Sequence, residues 1–124
     1  MYKERQEKPL WKIGLIADLQ YADIEPVGVR FFRESIQKLT DAARIMNSEN
    51  LDFVVNLGDL VDRNYISFQK VSEVLKLFNM PVYTVLGNHD FEIDDIHKPE
   101  IINRYGLPDF YYDVEKNNWR FVFS

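Results

Sequence analysis

Val82-Tyr83-Thr84-Val85-Leu86-Gly87-Asn88-His89-Asp90 is the stretch that decides the fold. A short apolar run, β-branched and aromatic, breaks into a glycine, an amide, an imidazole and a carboxylate. Two earlier runs end in the same manner. Ile13-Gly14-Leu15-Ile16-Ala17 stops at Asp18-Leu19-Gln20, and Phe53-Val54-Val55-Asn56-Leu57 stops at Gly58-Asp59-Leu60-Val61-Asp62. Each run has the length and composition of a buried strand. Each delivers oxygen or nitrogen donors at its C-terminal end, where open α/β sheets bind ligands.

The segments between these runs predict helices. Phe32, Ile36, Leu39, Ala43 and Met46 recur at spacings of four and three and form one apolar face. Arg30, Arg33, Glu34, Lys38, Asp41 and Arg44 lie off it. A second helix is predicted over Ser67 to Asn79, with Phe68, Val71, Leu75 and Phe78 facing inward and Ser67 as its N-cap. With strands over Trp11 to Ala17, Phe53 to Leu57 and Val82 to Leu86, the order is β-α-β-α-β. That order implies parallel strands joined by right-handed crossovers. Beyond Asp90 the pattern changes to a short helix over Pro99 to Tyr105, stopped by Gly106. A hairpin of Tyr111 to Glu115 and Trp119 to Phe123 follows, with Lys116-Asn117-Asn118 between its strands. Residues 1–124 are expected to form a single, truncated domain, since Phe123-Ser124 falls inside a predicted strand.

Composition narrows the chemistry. A hydrophobic fraction of 46% and an aromatic fraction of 15% belong to a packed core. Twenty acidic residues against fifteen basic ones give a net charge of −5, which argues against broad binding of nucleic acid phosphates. It suits a chain that gathers carboxylates around cations. The absence of cysteine excludes disulfides, thiolate zinc sites and iron–sulfur clusters. Met1 to Pro9 is charged and lacks the apolar segment of a signal peptide, and no run is long enough to cross a bilayer. A cytoplasmic location with no membrane partner is therefore expected.

Three short motifs carry the candidate site. In an extended segment Asp18 and Gln20 point the same way and can reach one cation; alternatively they are an ordinary polar strand end. In Gly58-Asp59-x-x-Asp62 the glycine permits a tight turn, and the carboxylate of Asp59 has two oxygens with which to bridge two metals. In Gly87-Asn88-His89-Asp90, Asn88 offers a neutral carbonyl oxygen and His89 a proton donor near neutral pH. Each of the last two also reads as a turn in isolation. Their ordered recurrence after three buried strands favours one site. Tyr21 and Tyr65, just past the first and second strands, either stack on a nucleobase or pack against the core or its rim. His97, in an acidic loop, is expected to be exposed.

The ordered set Asp18-x-Gln20, Gly58-Asp59-x-x-Asp62 and Gly87-Asn88-His89-Asp90 resembles the N-terminal half of the calcineurin-like metallophosphoesterases. Gln20 stands where the usual first motif has histidine, as in the manganese-dependent ADP-ribose/CDP-alcohol diphosphatase branch. Likeness to that branch extends through Ile16-Ala17-Asp18-Leu19-Gln20-Tyr21-Ala22-Asp23 and Arg30-Phe31-Phe32-Arg33-Glu34-Ser35. The resemblance implies an α/β fold, the N-terminal part of a four-layer α/β/β/α sandwich. It implies two divalent metal ions, Mn²⁺ foremost, with Mg²⁺, Fe and Zn²⁺ as the other candidates. Asp18 and Gln20 would ligate the first metal, Asp59 would bridge both and Asn88 would ligate the second. His89 would protonate the leaving group, and Asp62 would orient or charge-couple it. Arg63 departs from the glycine expected in this branch. It resembles the V-D-R run of the protein Ser/Thr phosphatases, where the arginine contacts phosphate; otherwise it is a solvated loop cation.

The implied activity is hydrolysis of a phosphoanhydride in nucleoside diphosphate conjugates by a metal-bridging hydroxide, with a small nucleotide conjugate as partner. The alternatives are a general phosphomonoesterase, a protein phosphatase-like enzyme, or a non-catalytic fragment. Family members draw further histidines, including a G-H-x-H motif, from their C-terminal half. This chain has only His89 and His97, so its metal shell is expected to be incomplete and its own turnover negligible.

Overall fold

The computed structural model describes residues 7–124. Part of the segment Met1 to Pro9, read above against a signal peptide, therefore lies outside the described residues. Strand β1 (Ile13–Ile16), β2 (Phe53–Asn56) and β3 (Val82–Thr84) form a parallel sheet in the order β1-β2-β3. Helices α1 (Ser35–Asn47) and α2 (Ser67–Leu75) are the crossovers. The β-α-β-α-β reading is realised, with each strand one to three residues shorter than its apolar run. Ala17, Leu57, Val85 and Leu86, trimmed from the C-terminal ends, fall where the chain turns into the loops of the candidate site, whereas Trp11 and Lys12 are trimmed from the N-terminal end of β1.

β2 shows why a central strand reads as a continuous apolar run: all of its residues are buried. Val54 packs with Leu39 and Ala43 of α1 and Phe68 and Val71 of α2. Its neighbours Phe53 and Val55 point to the opposite face. There they meet Phe123, Tyr112, Val114 and Phe121 of a hairpin. The layers are thus helices, parallel sheet and antiparallel hairpin, three layers of an α/β/β/α arrangement. Fully burying one such Leu or Phe side chain is worth roughly 1.5–3 kcal/mol, so both faces of β2 contribute to holding the sheet.

The helices differ from expectation at their ends. Phe32–Glu34 is a separate 3₁₀ turn leading into α1, yet the predicted face holds, with Phe32, Leu39 and Ala43 buried. Ser67 is not the N-cap of α2; it is the buried first helical residue. The N-cap position is Ile66, and Asn64 holds the turn before it, its Oδ1 accepting from Ile66 N at 3.0 Å, a bond suited to its short amide. α2 also stops at Leu75, short of Asn79. Asn47, at the end of α1, ties down the segment that follows, donating to Leu77 O and accepting from Asn79 N, both at 2.8 Å.

Past β3 the chain makes 3₁₀ turns at His89–Phe91 and Asp95–Glu100, then α3 (Ile101–Tyr105), ended by Gly106 in a left-handed conformation. The hairpin pairs β4 (Tyr112–Lys116) with β5 (Trp119–Phe123). Its loop is two residues, because Lys116 pairs with Trp119. Asn117 and Asn118 both have positive φ, as a two-residue hairpin of this twist requires. The hairpin is anchored on β3 by the Tyr112 hydroxyl, which accepts from Thr84 N at 2.8 Å and donates to Thr84 O at 2.9 Å. Among the described residues no helix is long and apolar enough to cross a membrane.

Candidate metal centre

The three loops are stitched together by backbone. Asp18 N donates to Gly58 O at 3.2 Å, Gln20 N to Asp59 O at 2.8 Å and Tyr21 N to Leu60 O at 2.8 Å. The segment carrying Asp18 and Gln20 therefore runs alongside the one carrying Asp59. Asp59 Oδ1 accepts from His89 N at 2.8 Å, which draws in the third loop. Gly58 and Gly87 allow the approach. A Cβ on Gly58, at φ +97°, would lie 2.4 Å from Gly87 N, and one on Gly87 would lie 2.1 Å from Asp59 Oδ1. Only the absence of a side chain at both positions lets the second and third loops meet.

Asp18 and Gln20 are brought beside Asp59, but by another geometry than expected. They have φ +54° and +46°, so the alternation of an extended strand does not describe them. Asp59 (φ +56°) and Arg63 (φ +60°) share the left-handed region. Such conformations cost on the order of 1–3 kcal/mol each and tend to gather at functional sites.

Asp90 is the residue whose part the sequence motif concealed. It is 0% exposed and accepts five hydrogen bonds: Asp59 N and Gly87 N on Oδ2, and Leu60 N, Val61 N and the Tyr105 hydroxyl on Oδ1. Burial pushes its carboxyl up, and the N–H donors of Gly87, Val61 and Asp59 pull against that. Five donors on two oxygens hold both loops in place. The signal in the sequence was the spacing from Gly87, since a carboxylate three residues on can reach back to a backbone N–H, as in a capping box. Asn56 adds a second brace, with Oδ1 accepting from Gly58 N at 2.9 Å.

Asp62 is the opposite case. It is 1% exposed, and among the described residues neither of its oxygens has a hydrogen-bond partner. One oxygen lies within 4.8 Å of a His89 ring nitrogen and a Glu92 oxygen, but the hydrogen bond to His89 belongs to Glu92, from Nδ1 to Oε2 at 2.9 Å. That bond to Glu92 raises the His89 pKa above its ordinary value, against the effect of burial. Glu92 was not anticipated, although its i,i+3 spacing from His89 on a 3₁₀ turn eclipses the two side chains. Arg63 is half-exposed, with Nε 3.5 Å from Asp62 Oδ1 and its guanidinium 5.8 Å from the centre of the Phe32 ring.

Neither tyrosine is free to stack on a base. Tyr21 is buried in the core. The Tyr65 ring stacks on His97 at 4.1 Å and lies 4.7 Å from the Arg104 guanidinium carbon. Its hydroxyl donates to Glu100 at 2.5 Å and accepts from Arg104. His97, expected in the open, is half-buried by that stack and stands apart from the Asp62–His89–Glu92 group.

The donor set fits divalent metal. Asp18, Gln20 and Asn88 make no side-chain hydrogen bonds among the described residues, and Asp59 uses one oxygen for His89 N. Two carboxylates and two amides are hard oxygen donors, suited to Mn²⁺ or Mg²⁺. The calcineurin-like phosphoesterase family model matches residues 12–124, and the chain belongs to that family. Its relatives include manganese-dependent ADP-ribose/CDP-alcohol diphosphatases. That of Arabidopsis thaliana is 40% identical over 94 residues, covering 66% of this chain and 30% of that protein. That of Danio rerio is 37% identical over 98 residues, covering 68% and 30%. A crystal structure of a dimetal phosphatase from Danio rerio superposes with a TM-score of 0.77 and 29% identity, covering 93% of this chain and 44% of that one. The chain spans less than half the length of these proteins.

Proposed function

We propose that this chain contributes one face of a dimetal centre that hydrolyses the phosphoanhydride of nucleoside diphosphate conjugates of the ADP-ribose or CDP-alcohol type. The observation that carries it is that the loops bearing Asp18, Gln20, Asp59 and Asn88 follow three adjacent parallel strands and are hydrogen-bonded to one another, with Gln20 where the superfamily usually has histidine. The relatives named as ADP-ribose/CDP-alcohol diphosphatases support the substrate class.

In this proposal Asp18 and Gln20 hold one metal, Asn88 the other, and Asp59 bridges them. Bound metal supplies an activated water nucleophile and neutralises charge on the transferring phosphoryl group. His89 donates a proton to the leaving oxygen, and Glu92 helps keep its imidazole protonated nearer neutral pH. Asp62 lies close enough to couple its charge to that imidazole. Arg63, at the rim, binds phosphate. A second reading, a phosphomonoesterase or protein phosphatase-like activity, is favoured by that same half-exposed guanidinium beside Asp62.

The test is a panel in Mn²⁺ comparing ADP-ribose, CDP-choline, p-nitrophenyl phosphate and a phosphopeptide. It is run on these 124 residues and on any longer protein that carries them. With four strand-end ligands and no G-H-x-H motif, the 124-residue chain is expected to bind metal weakly and turn over negligibly. In the longer protein the diphosphates should win by kcat/KM. Preference for the monoesters would replace the first reading with the second.

A further inference from the structure

Asp62 presents a buried carboxylate without a hydrogen-bond partner on either oxygen among the described residues. A group in that state has lost its water and gained no hydrogen bond in exchange. Among the described residues the charge nearest to it with an opposite sign is Arg63, whose Nε stands 3.5 Å away and whose side chain is half-exposed. What Asp62 does face is a second pair of ligand atoms. One of its oxygens, a His89 ring nitrogen and one Glu92 oxygen all lie within 4.8 Å of one another. Zinc bound tetrahedrally at about 2.0–2.2 Å places its nitrogen and oxygen donors about 3.4 Å apart. The half-exposed Glu92 side chain already lies 2.9 Å from His89 Nδ1, so closing the set requires these two side chains to turn toward the Asp62 oxygen.

The chemistry of this group also differs from that of the strand-end ligands. Asp18, Gln20, Asp59 and Asn88 offer only oxygen, whereas an imidazole with two carboxylates suits the softer Zn²⁺. Three protein ligands and an open fourth position are a common zinc arrangement. We propose that Asp62, His89 and Glu92 form a further divalent-cation site, separate from the strand-end oxygen set, which takes Zn²⁺ and, when filled, withdraws the His89 imidazole from proton donation. The withdrawal rests on His89 being the proton donor of the proposed hydrolysis; the site itself does not.

The chain has two histidines, so its ring resonances separate the site from nonspecific binding. Histidine ring ¹⁵N spectra are followed during Zn²⁺ titration of the whole chain and of Asp59→Asn. That variant keeps the Oδ1 acceptor for His89 N while weakening the strand-end set. Zinc should move the His89 ring resonances at about one equivalent and leave those of His97 in place, in both proteins. Adding Glu92→Gln or Asp62→Asn should weaken the apparent zinc affinity at least about tenfold, since even indirect partners of metal ligands act on that scale. If Asp59→Asn does not fold, the same two substitutions are read in the otherwise unchanged chain. Three results would overturn the site: a His89 ring indifferent to zinc, an affinity unmoved by both substitutions, or a His97 response in step with His89. The Mn²⁺ substrate panel is independent of these outcomes. A panel that fails leaves the zinc site standing, and a zinc titration that fails leaves the hydrolase proposal standing.

Discussion

Asp90 and Asp62 are both carboxylates sealed from solvent in neighbouring loops, and they are treated in opposite ways. Asp90 accepts five hydrogen bonds, four of them from backbone N–H groups of the two loops it joins. Asp62 accepts none. The difference separates a carboxylate that braces two loops from one that is buried without a hydrogen bond among the described residues. Burial alone identifies neither; the inventory of partners does.

Removing Asp90 should have the largest effect. Asp90→Ala strands four backbone donors and the Tyr105 hydroxyl, and an orphaned buried donor costs about 1–3 kcal/mol. We expect a loss of at least about 4 kcal/mol after relaxation, measured by urea denaturation. A loss below about 1 kcal/mol would show that the loops are held by something else. Next comes Gly87→Ala, whose Cβ would sit 2.1 Å from Asp59 Oδ1. Overpacking of this kind costs roughly 1–3 kcal/mol, and the displaced Asp59 should also weaken Mn²⁺ binding. Unchanged Mn²⁺ affinity in this variant would detach Asp59 from the metal.

Asp62→Asn should change stability in the other direction. Replacing a buried charge whose ion pair to Arg63 is long and half-exposed by a neutral group of the same shape is expected to stabilise the metal-free chain by about 1–2 kcal/mol. Destabilisation instead would mean that the Arg63 pair outweighs the cost of burying the charge. The smallest effect belongs to Tyr105→Phe, which removes one of Asp90's five donors. A cost near 1 kcal/mol is expected, and a cost equal to that of Asp90→Ala would place the keystone at Tyr105.

The same contrast marks what the sequence could tell. Periodicity revealed the helices and the parallel strands, because Phe32, Leu39 and Ala43, or Phe68 and Val71, share one environment along an element. Punctuation after each strand located the loops that carry Asp18, Asp59 and Asn88, because polar residues at a strand end interrupt an apolar run. The partners of Asp90 and Asp62 were hidden. Both are an acidic residue near a glycine in sequence, and their fates depend on which backbone groups the folded loops aim at them. Tyr21 and Tyr65 were undecided for a similar reason: their ring faces are covered by residues far along the chain, His97 and Arg104 in the case of Tyr65. The φ values of Asp18 and Gln20 come from the way their loop is hydrogen-bonded to Gly58 and Asp59, which no pattern of side chains announces.

The central claim is that Asp18, Gln20, Asp59 and Asn88 bind metal together where three strands end. Its most direct test is paramagnetic broadening of backbone amide signals by small additions of Mn²⁺, a method sensitive to weak sites. The Glu92→Gln chain is the right background, since it disables the proposed zinc site. Broadening should centre on Gln20, Asp59 and Asn88, and it should disappear when Asp59→Asn is added. Broadening that centres elsewhere, or that survives Asp59→Asn undiminished, would contradict the claim.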